Sequence, residues 1–265
     1  MRALVLIGVA ALLSHAPALW SGFIWLDHAH IEAGLALARP RDWLALFAQS
    51  FAGTGFYRPV TALSLSVEAA LGNGPVLHHA MTLLFHGGAS VLTAICAEHL
   101  GVSRRAAFWA GLLFAVHPVT SLVANAIAFR SESMLTVALL SLVVFHVRRN
   151  AAAVFAALLF GALTKETALV LAPLFVLALE LWPRADKPAI TLASRWRLFG
   201  AEALGLGVAL ALRFRFAPAW RASFAELGAS EALGTRLSSL AKSARSVVFP
   251  VDTAICDAFE VTSLA

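Results

Sequence analysis

Gly22-Phe23-Ile24-Trp25-Leu26-Asp27-His28-Ala29-His30 follows directly on the first long apolar run of the chain, about Ala3 to Trp20. It holds the first carboxylate of the sequence, Asp27, beside aromatic residues that favour a membrane–water interface. Two readings are open. Asp27 caps the helix that starts at His28, a short carboxylate accepting from free backbone N–H groups there. Or Asp27 stands just outside a bilayer as a functional carboxylate, and other polar residues of the chain converge on it.

Composition decides the class. Hydrophobic residues make up 60% of the chain and charged residues 13%, with a mean hydropathy of +0.81. A soluble domain carries about 25% charge, so the chain reads as an all-α polytopic membrane protein, with residues 1–265 forming a single transmembrane domain. The net charge of +5 is written as short arginine clusters between apolar runs, the form membrane topology takes. Without a long basic tract or interleaved aromatic and basic residues, it implies no nucleic-acid partner. Cys96 and Cys256 form no CxxC pattern, so they imply neither a disulfide framework nor a metal site. Arg2, the apolar run to Leu13 and Ala16-Pro17-Ala18 resemble a secretory leader. An uncleaved first helix is preferred, because the later apolar segments leave no aqueous domain to export.

About seven spans are predicted. After the first comes a long outer loop, residues 21–75, that mixes apolar and polar residues at helical spacing (Ile31, Leu35, Leu37, then Trp43, Leu44, Phe47) and reads as amphipathic helices on the membrane surface. The second span is about Val76–Glu98. The third, Ala106–His117, is short of the roughly 20 residues a full crossing needs and must begin among Arg104 and Arg105 with snorkelling side chains. Val119–Phe129 reads as an interfacial or re-entrant piece. The fourth span follows Arg130-Ser131-Glu132 to about Val147, the fifth is Ala151–Leu163, the sixth Thr167–Trp182 and the seventh Leu198–Leu212. Leu237–Val251 carries Lys242 and Arg245 and need not span; residues 237–265 read as the start of a further C-terminal part.

With Arg2 in the cytoplasm, the clusters at Arg104-Arg105, Arg148-Arg149 and Arg184–Arg197 all fall inside, as the positive-inside bias requires. The outer rim then receives Asp27, Tyr57-Arg58, His78-His79, His117, Arg130, Glu132 and Lys165-Glu166. Singly, each has a bland explanation: His117 before Pro118 ends a helix, Arg130 snorkels, Lys165-Glu166 is a solvated turn. Together they stand apart, since the inner face carries almost only basic residues and ionisable groups near membrane depth mark function. His86 lies about two turns inside the second span, on the same helix face as His79; a lone buried histidine is more often a satisfied core residue.

The set offers one loop carboxylate, several cations and histidines, with no nucleophile elbow, zinc-helix motif, P-loop or dinucleotide fingerprint. Cations around an external carboxylate suit transfer from a lipid-linked phosphate. A phosphate leaves without protonation, so the second carboxylate of glycoside hydrolysis is not required. One base takes the acceptor proton while arginine and lysine stabilise charge on the departing phosphate.

Phe23-Ile24-Trp25-Leu26-Asp27-His28, Tyr57-Arg58-Pro59, His79-x-x-Thr82-x-x-x-His86, Phe114-Ala115-Val116-His117-Pro118-Val119, Ala128-Phe129-Arg130-Ser131-Glu132 and Lys165-Glu166 occur in an order and spacing that resembles the GT-C glycosyltransferase superfamily. The branch it resembles is that of the protein O-mannosyltransferases with transmembrane and tetratricopeptide parts, and their bacterial relatives. The resemblance covers about residues 20–185. It implies a GT-C-like bundle, Asp27 as the catalytic base and a polyprenyl-phosphate-sugar donor. Two departures stand out. Family members often carry two adjacent acids where this chain has Asp27-His28, and an asparagine is common where Thr82 stands. No cofactor and no metal ligands are therefore predicted, with a divalent metal left open.

The expectation is a glycosyltransferase that moves a sugar, mannose by the resemblance, from a polyprenyl-phosphate donor to a protein, lipid or glycan hydroxyl, with inversion. Asp27 is the base; Arg58, Arg130 and Lys165 bind the donor phosphate; His28, Tyr57, His79, His86, His117, Glu132 and Glu166 support them. The resemblance places the protein in a bacterial inner membrane with its site on the outer, periplasmic face. The competing expectations are a non-catalytic membrane assembly subunit and a lipid or sugar transporter, although a transporter should show paired repeats and charges near the midplane.

Overall fold

A computed structural model describes residues 1–32, 39–72, 74–181, 192–217 and 228–250. Ten α-helices, linked by short 3₁₀ or π turns, make up these residues: α1 Arg2–His15, α2 Pro59–Leu71, α3 Pro75–His99, α4 Arg104–Val116, α5 Ser121–Asn125, α6 Arg130–Val147, α7 Ala151–Thr164, α8 Ala168–Leu181, α9 Leu192–Phe216 and α10 Ala229–Val248. Local chemistry sets several boundaries. Pro59 and Pro75 open α2 and α3, where the missing N–H costs nothing. Ser103 and Asn150 cap α4 and α7 by accepting from Ala106 and Ala153, which satisfies otherwise orphaned donors. His117 ends α4 because Pro118 disfavours a helical conformation in the residue before it.

Among the described residues, three helices are long and apolar enough to cross a membrane: Arg2–Trp20, Pro75–His99 and Ile127–Val147. Arg104–Val116 and Pro118–Asn125, bent by 51° at the break, make a fourth if they count as one broken span. Large apolar side chains face outward along the bundle, among them Leu13, Trp109, Leu113, Leu174, Leu177 and Phe214, which is the exterior of a membrane protein. Among the described residues three or four such spans stand, so the predicted count of about seven is not confirmed. The fifth and sixth predicted spans are α7 and α8, of 14 residues each, short of the roughly 20 that a full crossing takes. The seventh lies in α9, whose apolar run carries Glu202 and is bordered by Arg195 and Arg197 before it and Arg213 and Arg215 after it.

The predicted outer loop is more deeply built in than surface helices would be. Pro40–Ala48 is amphipathic and tucks Leu46 under it. Residues 59–71, however, form α2, an apolar helix whose Ala62 and Leu65 join Ile31, Leu46, Phe51 and Ile127 in a buried cluster. Residues 33–38 lie outside those described. So do 182–191, with Arg184 and Lys187 of the basic loop, and 251–265 of the predicted C-terminal part; the helix there, α10, begins eight residues before the predicted Leu237.

The helices pack around linked apolar clusters. Ile7, Ala11, Ala94 and Ala115 join α1, α3 and α4; Cys96, Val143, Val144 and Leu179 join α3, α6 and α8; Leu135, Leu142, Leu158, Ala172 and Leu198 join α6 to α9. One end of the bundle gathers Met1, Glu98 and Arg104 around a single cleft, with Arg148 donating to His99 at 3.1 Å. The same end also holds carboxylates, where the sequence predicts almost only basic residues: His146 lies 2.9 Å from Glu180 and 2.8 Å from Glu202, and Arg149 lies 3.3 Å from Glu180. The segments bearing Asp27, Arg58, His117, Arg130 and Lys165 all come to the other end.

Gly111 is where α4 approaches α3 and α1 most closely: a Cβ there would stand 2.9 Å from the Ala94 Cβ and the Ser90 carbonyl, and 3.0 Å from Ile7. Gly111→Ala should therefore destabilise by about 1–3 kcal/mol through overpacking. Gly207→Ala, which meets nothing within 4 Å, should be neutral or slightly stabilising. Thermal unfolding of the two variants in lipid nanodiscs checks the contrast.

Candidate functional site

Glu68 is a lone carboxylate in the apolar run of α2, and a charge at that depth demands a partner. It finds one in Arg130, the first residue of α6. Glu68 Oε1 accepts from Arg130 Nη1 at 2.6 Å, Arg130 Nε donates to Thr82 at 3.2 Å and Nη2 to the His78 carbonyl at 2.6 Å. His78 Nδ1 lies 2.6 Å from Glu68 Oε2, within ion-pair reach but off the line of a straight hydrogen bond. Arg130 and His78 are 0% exposed and Glu68 3%. Arg130, expected among the donor-phosphate binders, thus has its guanidinium committed inside the protein, where it ties α2, α3 and α6 together. Glu68 was missed by the sequence reading; a single acid within Val60–Leu71 was the signal.

Asp27 is 0% exposed. Its Oδ2 accepts from the Ile24 N–H at 3.1 Å and its Oδ1 from the Ala128 N–H at 2.6 Å, while its own N–H donates to the Ile24 carbonyl at 2.8 Å. The carboxylate therefore closes its own turn and fastens that turn to the connection between α5 and α6, 101 residues away. The turn is strained: Trp25 has φ 47°, an outlier for a bulky residue, and its ring stacks on Phe129 at 5.8 Å. His79, fully buried, approaches the Gly22 carbonyl at 3.4 Å from α3, and Phe23 contacts the rings of His28 and His78 at 6.5 and 5.9 Å.

A second set lies where α7 meets α8. Glu166 Oε2 accepts from Arg58 Nε at 3.0 Å and Oε1 from the Tyr57 N–H at 2.6 Å. Arg213, from the last turn of α9, lies 3.6 Å from Oε1. Lys165 pairs with Glu132 of α6. The Tyr57 hydroxyl donates to the Phe47 carbonyl at 2.8 Å, and burial pushes its pKa up. Arg213 is the other residue that the sequence reading missed; it was hidden in what read as the end of a span. His30, its ring 5.0 Å from that of Phe51, lies within the field of both sets. Burial first, then the nearby Arg58, hold it below the ordinary 6.5, opposed by Asp27.

The two remaining histidines do not join these sets by any contact described. His117 Nδ1 accepts from the Val119 N–H at 3.2 Å and so caps the turn after Pro118. His86 Nε2 lies 3.1 Å from the Ala115 carbonyl, its ring against His15 at 5.0 Å and Phe114 at 5.7 Å; it joins α3 to α4 as a satisfied core histidine. Among the described residues there is no group of three or more His, Cys, Asp or Glu placed to hold a metal ion.

Glu68→Ala leaves Arg130 charged and buried without its counter-ion, which should cost about 3–5 kcal/mol. Replacing both by apolar residues of similar volume should restore most of it; thermal unfolding in nanodiscs checks both. His30 gives a pH signature. Its contribution to stability is complete above 6.5 and is lost as pH falls from there through its lowered folded value, because protonation then favours the unfolded chain. The melting temperature should fall more between pH 7 and pH 5 in the wild type than in His30→Gln.

No family model matches the chain, and no solved structure matches it. Two curated proteins are similar over part of it. The Protein O-mannosyl-transferase Tmtc2 of Drosophila melanogaster is 32% identical over 111 residues, 38% of this chain and 12% of that protein. The Protein O-mannosyl-transferase TMTC3 of Mus musculus is 29% identical over 129 residues, 45% of this chain and 14% of that protein. The chain thus covers about an eighth of the length of each relative it matches.

Proposed function

We propose that the protein is a membrane glycosyltransferase that moves a sugar, mannose, from a polyprenyl-phosphate carrier to an acceptor hydroxyl at the bundle end bearing Asp27, the outer, periplasmic face. The observation that carries this reading is the gathering of Asp27, Arg58, Glu132 and the adjacent Lys165 and Glu166, from four segments of an apolar chain, at one end of the bundle. Ionisable groups are costly near a membrane and cluster there for a purpose. The partial similarity to two protein O-mannosyl-transferases supports the reaction class.

The chemistry assigned to the residues follows from their type. Asp27 takes the proton from the acceptor hydroxyl as that oxygen attacks the anomeric carbon from the side opposite the phosphate; a single displacement of this kind inverts the centre. The carbon–oxygen bond to the phosphate breaks, and the phosphate departs as an anion stabilised by Arg58 and Lys165. No further general acid is needed. In the conformation described both Asp27 oxygens accept backbone N–H groups, so the base becomes available when the Ile24–Asp27 turn separates from Ala128. The strain at Trp25 lowers the cost of that separation. Arg130, sealed against Glu68, positions α6 and with it Glu132.

The complete burial of Asp27 favours one rival, an assembly subunit with no chemistry of its own. The two separate in an assay. With the protein in nanodiscs, polyprenyl-phosphate sugars and an acceptor, wild type should transfer sugar and Asp27→Asn should be slower by about 10²–10⁴-fold, the range of a lost general base. Equal rates, or no transfer by wild type, would overturn the enzyme reading.

A further inference from the structure

Glu166 occupies an unusual position. Its carboxylate receives a main-chain N–H from Tyr57 at 2.6 Å, the Arg58 guanidinium at 3.0 Å and, from a third element, Arg213 at 3.6 Å. Arg58 and Glu166 are partly open, with side chains 16% and 15% exposed, and Arg213 is 7% exposed. Two guanidinium groups and one backbone N–H converging on one point are the donor set of an oxyanion or phosphate site. Lys165, next in sequence, adds a third cation, paired with Glu132.

The wall beside this point is apolar. Tyr57 and Leu163 are buried together with Ala217, and Val60, Leu212 and Phe216 pack on them; the Tyr57 ring stacks on Phe216 at 6.3 Å. A phosphate carried on a hydrocarbon chain is an anion with an apolar tail, and the donors here stand beside partly exposed Val60, Leu212 and Phe216.

We propose that Glu166 is a resident anion that holds a phosphate-binding site closed, that the site is formed by the Tyr57 N–H, Arg58 and Arg213, and that the phosphate of a polyprenyl carrier enters by displacing the Glu166 carboxylate. No bond is made or broken; one anion exchanges for another. The inference rests on the glycosyltransferase reading for its choice of a lipid-linked phosphate and assigns to Arg213 a binding role there. An ordinary structural ion pair would behave in the opposite way when its acid is removed, since losing Glu166 would then only loosen the site.

Binding, not transfer, is the deciding measurement. A polyprenyl monophosphate and, separately, inorganic phosphate are titrated against the full chain in nanodiscs. Glu166→Gln should bind the polyprenyl phosphate about tenfold more tightly than wild type, because the neutral amide no longer competes for two guanidinium groups. Arg213→Met should weaken binding about tenfold in the wild-type and Glu166→Gln backgrounds alike. Inorganic phosphate should bind far more weakly than the polyprenyl form in every variant. Unchanged or weaker binding by Glu166→Gln overturns the proposal. If that variant does not fold, unchanged binding by Arg213→Met in the wild-type background overturns it equally. Equal binding of the free and lipid-linked phosphates removes the lipid carrier. Tightening by Glu166→Gln with no sugar transfer by wild type would sink the glycosyltransferase reading and leave the phosphate site standing. Transfer without tightening would do the reverse.

Discussion

The ion pair between Glu68 and Arg130 is the contact on which the polar end of the bundle depends. A buried charge has no water to fall back on, so each partner is confined to the place where the other completes it. Arg130 spends all of its side-chain nitrogens, on Glu68, Thr82 and the His78 carbonyl. That choice holds the N-terminal ends of α3 and α6 and the C-terminal half of α2 at one level. Glu132 follows two residues on and is thereby aimed at Lys165; Ala128 precedes by two and presents its N–H to Asp27. The node touches neither proposed substrate, yet both sets of candidate residues are placed by it.

Around that node most charges at this end of the bundle are internally matched. Arg58 meets Glu166, Lys165 meets Glu132, and Asp27 is held by two backbone donors. A site at a membrane surface gains from this. Unmatched cations at the edge of a hydrocarbon layer would be expensive, and a fixed arrangement of donors needs little reorganisation when charge develops. The conformation is accordingly a closed one, with Trp25 in a strained backbone and Asp27 fully buried, and the proposed chemistry at Asp27 requires the turn to open.

The opposite end of the bundle follows the same rule with different residues. His146 between Glu180 and Glu202, with Arg149 beside Glu180, matches charges contributed by α6, α8 and α9. Positive-inside bias counts lysines and arginines in loops, so it reports which face these segments share but is blind to acids folded back against a histidine.

Much of the architecture was written in local sequence. Mean hydropathy and charge content identified a helical membrane protein; prolines and capping residues placed the starts of α2, α3, α4 and α7; the short run before His117-Pro118 foretold the broken α4–α5 segment. The grouping of Asp27, Arg58, Lys165, Glu132 and Glu166 at one end was legible from topology, because loop polarity and span count alternate along the chain. What tertiary structure alone decided is who pairs with whom. Glu68 with Arg130, Glu166 with Arg213 and Asp27 with Ala128 are contacts across 62, 47 and 101 positions. Hydropathy follows neighbours three or four residues apart, whereas a buried charge selects its partner in space, and that selection turned a predicted phosphate ligand, Arg130, into the residue that holds the site together.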